Sequence, residues 1–109
     1  MTLPEEIKIG DLYYRIHIVP AEDLVDADAD CHIHAQNIRV RDDATQGAAE
    51  KILGHEVAHV WLAWSGLSSI IQHLDSATFE KFGFSLEEAL CDVIGDNLIQ
   101  FMRDNAESL

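Results

Sequence analysis

The chain reads as an α+β domain: a small antiparallel or mixed sheet from the N-terminal half, packed on two long helices. Three observations predict it. Apolar residues alternate with period two from Ile7 to Ile18 and again at Ile33, Ile38 and Val40, the period becomes helical from residue 48 onward, and strands precede helices instead of interleaving with them. At 109 residues the sequence suits a single domain, 1–109, with one core and one principal site.

Ile7 and Ile9, then Leu12, Tyr14, Ile16 and Ile18, alternate on either side of Gly10-Asp11, the pattern of a two-residue hairpin. Pro20 ends that run, and the acidic stretch from Ala21 to Asp30 reads as a connection. Ile33, Ile38 and Val40 resume the alternation and predict a second hairpin.

From Ala48 to Trp64 the residues Ile52, Leu53, Val57, Val60, Trp61 and Trp64 share one broad helical face, with Asp42, Asp43 or Thr45 as start signals. Trp61 and Trp64 are expected to anchor the core under the sheet. Residues 66–83 lack a clear period and read as a connection with a short helical turn around Ile70 to Leu74. Ser85-Leu86-Glu87-Glu88 has capping-box spacing and opens a helix to about Arg103, whose main apolar face is Leu86, Leu90, Val93, Ile94, Leu98 and Phe101.

Twenty acidic side chains against seven basic ones leave a net charge of −13, which repels phosphate backbones and anionic membrane surfaces. Direct nucleic acid binding and membrane association are therefore not expected. Cys31 and Cys91 are far apart without CxxC spacing, and the residues after Met1 lack the basic start and apolar run of a signal peptide. The expectation is free thiols in a reducing, cytoplasmic setting.

His55-Glu56-Val57-Ala58-His59 is an HExxH sequence within the first helix, where residues four apart point the same way. Both imidazoles can therefore reach one zinc ion, and a catalytic zinc takes three protein ligands and keeps one position open. Glu56 sits beside the ion as general base, accepting a proton from the attacking water and returning it to the departing amine.

The third ligand has several candidates: His17, His32, His34, His73, Glu80, Glu87, Glu88 and Asp92. Glu88 is favoured. Glu88, Asp92, Gly95, Ile99 and Met102 are spaced four, three, four and three, a continuous stripe suited to close packing on another helix and to burying its carboxylates there. Asp92, one turn on, is placed to accept the second N–H of a ligand imidazole. The competing reading of Glu88 is the fourth residue of the capping box, bonded back to the Ser85 backbone, with Glu87 a plain first-turn acid.

His55-Glu-Val-Ala-His59 followed by Glu88-Ala-Leu-Cys-Asp92 resembles the HExxH and ExxxD pair of gluzincin-type metallopeptidases, and is similar to small ImmA/IrrE-like and phage-encoded predicted peptidases. The resemblance covers roughly the last two thirds of the chain. It implies a minimal zincin-like domain, His55, His59 and Glu88 as zinc ligands, Glu56 as the base, Asp92 as the outer support, and peptide bonds as substrate. Cys91 before Asp92 departs from the usual small residue, and, unlike the longer family members, the chain is expected to lack an extra domain after the last helix.

Other signals carry less. Asp26, Asp28 and Asp30 copy the start of a calcium loop, but Cys31 and Asn37 stand where the glycine and the final glutamate belong. His32 and His34 have strand spacing and read as an outward polar face, as does His17. His73, Tyr13 and Tyr14 are candidates for stabilising an oxyanion. Two functions follow: a zinc hydrolase acting on a protein or peptide, or a catalytically inactive zinc-binding regulatory protein whose acidic surface engages a basic partner. They differ in the fourth zinc position, open in the first and closed in the second by a residue such as Cys91 or His73. A substrate is expected along the strand before the HExxH helix.

Overall fold

The computed structural model describes residues 1–25, 27–67, 69–71, 74 and 85–104, with the side chains of the last helix to Leu98. β1 (Glu6–Ile9) and β2 (Leu12–Val19) pair antiparallel with Ile9 opposite Leu12, leaving Gly10 and Asp11 as the turn. Gly10 takes φ +61°, a left-handed value that costs a residue without a Cβ nothing. After Pro20 the acidic connection makes a single 3-10 turn at Ala21–Asp23.

β3 (Ala29–His32) and β4 (Asn37–Arg41) form the second hairpin, with His32 opposite Asn37. Residues 33–36 make its turn, closed by Gln36 at φ 58°. His34 thus lies in the turn, and the expected His32–His34 strand pair does not exist. β4 lies parallel to β2, so the sheet is mixed, in the order β1-β2-β4-β3. β3 is an edge.

α1 (Gln46–Ser65) starts at Thr45, whose hydroxyl accepts from Ala48 N–H at 3.3 Å, and ends at Gly66 in the left-handed conformation, φ 81°. Ile70, Ile71 and Leu74 are helical, in keeping with the expected short turn. α2 (Leu86–Asp104) follows Ser85, whose hydroxyl accepts from Glu88 N–H at 3.4 Å. No described helix is long and apolar enough to cross a membrane.

Two clusters make the core. Ile9, Tyr14, Ile38 and Val40 of the sheet pack on Ala49, Leu53 and Val60 of α1; Ala58 and Leu62 of α1 pack on Cys91 of α2 and on Ile71. α1 is therefore buried on two faces, one by the sheet and one by α2. This corrects the single-face reading. Trp61 and Trp64 are 56% and 48% exposed, because the two buried faces take smaller side chains. Trp64 is a tether: its indole N–H donates to Tyr14 Oη at 2.5 Å, and Tyr14 Oη donates to the Ile33 carbonyl at 2.7 Å. On α2 it is Cys91, Ile94 and Gly95 that turn toward α1, while Leu90 and Val93 of the expected apolar face are exposed.

The two helices meet backbone to backbone. A Cβ on Gly54 would stand 2.8 Å from the Gly95 carbonyl oxygen, and one on Gly95 would stand 2.5 Å from the His55 backbone nitrogen. Neither contact can be made without the helices separating, since both obstacles are main chain. Gly95→Ala is therefore expected to lower unfolding free energy by about 1–3 kcal/mol despite the better helix propensity of alanine. An unchanged urea midpoint would mean that the helices part at no cost.

Candidate metal centre

The helix crossing sets three side chains together at a cleft of about 720 Å³ walled by β3, α1 and α2. His55 and His59, four apart on α1, bring their Nε2 atoms to 3.1 Å from each other. Glu88, in the first turn of α2, straddles both: Oε2 lies 3.1 Å from His55 Nε2 and Oε1 2.9 Å from His59 Nε2. Among the described residues these three are the group whose ligand atoms converge as a metal site requires.

The outer nitrogens are also held. Asp92 Oδ1 lies 2.8 Å from His55 Nδ1, and Glu87 Oε2 lies 2.9 Å from His59 Nδ1. A carboxylate at Nδ1 favours the tautomer with its proton there, which leaves both Nε2 lone pairs facing one another and the Glu88 carboxylate. Such a meeting of acceptors is relieved by a cation at its centre. Bonds of about 2.0–2.1 Å in a tetrahedral arrangement imply ligand separations of roughly 3.3 Å, so zinc fits with an opening of a few tenths of an ångström.

Two expectations about these carboxylates change. Glu88 and Asp92 are not buried in the helix contact; their side chains are 59% and 71% exposed and face the open cleft. The crossing at Gly95 holds the backbones close without covering the carboxylates one and two turns earlier. Glu88 serves the cap through its backbone N–H while its carboxylate turns to the histidines. Glu87, a plain first-turn acid in the competing capping reading, is mostly covered and bonded to His59.

Glu56 lines the same cleft and, at 9% exposure, is the buried charged side chain among the described residues. Burial raises its pKa, opposed by the Cys31 thiol and by the two histidines. Cys31 reaches it from β3, and the thiol itself is pushed up to about 12 by burial and then by the Glu56 carboxylate. It stays protonated and able to donate. Cys91 is likewise pushed up to about 12, by burial first and then by Glu87 and Glu88. It packs in the α1–α2 core and does not join the converging group.

The other candidates lie elsewhere. His17 Nε2 is 3.0 Å from Asn37 Oδ1, His32 sits 3.5 Å from Asp30, and His34 meets the Trp64 ring edge-on at 5.8 Å. His73 and Glu80 lie outside the described residues, as does Asp26. Asp28 and Asp30 are engaged by Arg41 and Arg39, and the Arg39 guanidinium holds the Asp30 carboxyl below its ordinary range. Tyr14 is fully buried in its tether, and Tyr13 stands under the Lys8 ammonium at 5.9 Å, so neither is an oxyanion donor at this cleft. The sequence reading named Glu87 only among the candidate third ligands, not as the partner of His59 Nδ1, and it missed the part played by Cys31. Both roles are defined by contacts across elements.

No protein-family model matches the chain, and no curated protein or solved structure is significantly similar to it.

Purified protein is expected to carry near-stoichiometric zinc, lost in His59→Ala and in Glu88→Ala. Glu87→Gln and Asp92→Asn should retain it with affinity about 10–100-fold lower, read by chelator competition. A parent that takes up no zinc even after reconstitution would exclude the site.

Proposed function

We propose that the chain is a zinc-dependent hydrolase, a small gluzincin-type metallopeptidase of the ImmA/IrrE-like or phage-encoded kind, with Glu56 as general base. The observation that carries this reading is the position of Glu56: buried, and lining the same open cleft as the converging His55, His59 and Glu88. Zinc in that position would supply Lewis acidity, polarising a carbonyl and making water a better acid.

The chain's own residues supply the rest. Glu56, its pKa raised by burial, is suited to take a proton from the attacking water and deliver it to the leaving amine. The Cys31 thiol beside it limits the carboxylate's freedom. Asp92 and Glu87 orient the two imidazoles. β4, the strand before the HExxH helix, is interior to the sheet, so it is the edge strand β3 that borders the cleft, with one sheet neighbour among the described residues. An extended peptide is the substrate that such an edge can align. Cys31 and Cys91 are both free thiols, which fits a cytoplasmic setting.

Glu56→Gln tests the proposal: peptide hydrolysis should fall by about 10²–10⁴-fold while zinc content and unfolding midpoint stay at parental values. A zinc-loaded parent that cleaves nothing in a peptide library would instead favour the regulatory zinc protein with an acidic surface.

A further inference from the structure

The cleft has two chemically different ends. α1 presents Lys51, His55, His59 and Ala63 along it at four-residue intervals, and α2 presents Glu88, Asp92 and Asp96. The helices run antiparallel, since Glu88 meets His59, Asp92 meets His55, and the Gly95 position abuts the Lys51 carbonyl. The third wall is β3, whose Ile33 end is tied through Tyr14 to Trp64 and so lies by Ala63. One end is therefore apolar, with Ile33 and Ala63. The other carries Asp28, Lys51 and Asp96.

At the charged end the carboxylates are not equivalent. Asp28 is paired with Arg41 and Asp92 is engaged by His55, whereas Asp96 is exposed and has no ion pair among the described residues. With Asp28 and Asp30 paired to Arg41 and Arg39, Glu56, Glu87, Glu88, Asp92 and Asp96 bring five negative charges to the cleft against three from a divalent ion and Lys51 together, so its field is negative with the metal in place. Lys51 offsets one charge only. The net charge of −13 on the chain acts in the same direction.

We propose that Asp96 is a specificity-determining residue, which selects peptides bearing a Lys or Arg about three or four positions from the scissile bond. The proposal rests on the hydrolase reading and names its substrate class. The spacing follows from the helix: Asp96 is two rows beyond Glu88, about 12 Å at 1.5 Å per residue, and an extended peptide advances about 3.3 Å per residue. A cationic side chain there meets a carboxylate that has no ion pair among the described residues, and the bordering strand edge supplies the alignment that carries it to that point. Acidic peptides are repelled along the whole cleft.

The experiment uses zinc-loaded Glu56→Gln protein, which binds without turnover, and two short fluorescent peptides identical except for lysines in one and glutamates in the other. Anisotropy at about 0.15 M salt is expected to give about tenfold tighter binding of the lysine peptide. Asp96→Asn should weaken that binding by about two- to fivefold, whereas Glu6→Gln, the same charge change on exposed β1 at the far edge of the sheet, should not. Equal binding of both peptides, no measurable binding of either, or equal effects of the two substitutions would overturn the proposal. Preference for the lysine peptide with no cleavage by the zinc-loaded parent would overturn the hydrolase reading and leave the charge selection standing.

Discussion

The contact between Gly54 and Gly95 is the constraint on which the site depends. With a side chain at either position the helices would be held apart by its volume, and residues on facing rows would no longer share a centre. Because α1 and α2 run antiparallel through this point, the ligand row of one helix faces the carboxylate row of the other. His55 is adjacent to the crossing on one helix, and Asp92 is three residues from it on the other. The distances of 2.8–3.1 Å among the histidines, Glu88 and Asp92 are the direct result of that register.

Electrostatics then divides the site into roles. Four carboxylates gather around two imidazoles, and each has a different environment. Glu87 and Asp92 polarise the rings from behind, Glu88 closes the front, and Glu56 is withdrawn under cover beside a thiol that burial keeps neutral. The exposed carboxylates are the ones that a cation can reach from solvent. The covered one is the one whose proton affinity burial raises.

How much of this was legible in the sequence depends on whether the signal was local. The Gly10-Asp11 hairpin and the helix bearing HExxH both carry their information within a few residues, through period and turn chemistry. Of the stripe through Glu88, Asp92 and Gly95, the glycine packs against another helix as its small size suggested, while the two carboxylates stand open beside the contact. Trp61 and Trp64 were misread because a single-face pattern was imposed on a helix covered from two sides, where small residues such as Ala49 and Ala58 do the packing. Leu90 and Val93 were misread for the same reason in reverse: apolar period identified a face, but the tightest contact belonged to the side with glycine. Glu87 and Cys31 acquire their partners only after β3, α1 and α2 have assembled, and neither has a neighbour in sequence that announces it.

The candidate ligands on the two helices would also have a topological consequence. His55 and Glu88 are 33 residues apart, so an ion joining them would act as a removable cross-link around the intervening chain. Closing a loop of that length restricts the unfolded ensemble, as a disulfide would, but reversibly and with a strength set by free metal. The hairpins and α1 have their own core and do not need this link; α2, which among the described residues packs mainly on α1, would gain most from it. Metal availability would therefore set how firmly the last helix is docked, and the domain would tighten from its C-terminal side as the ion is taken up.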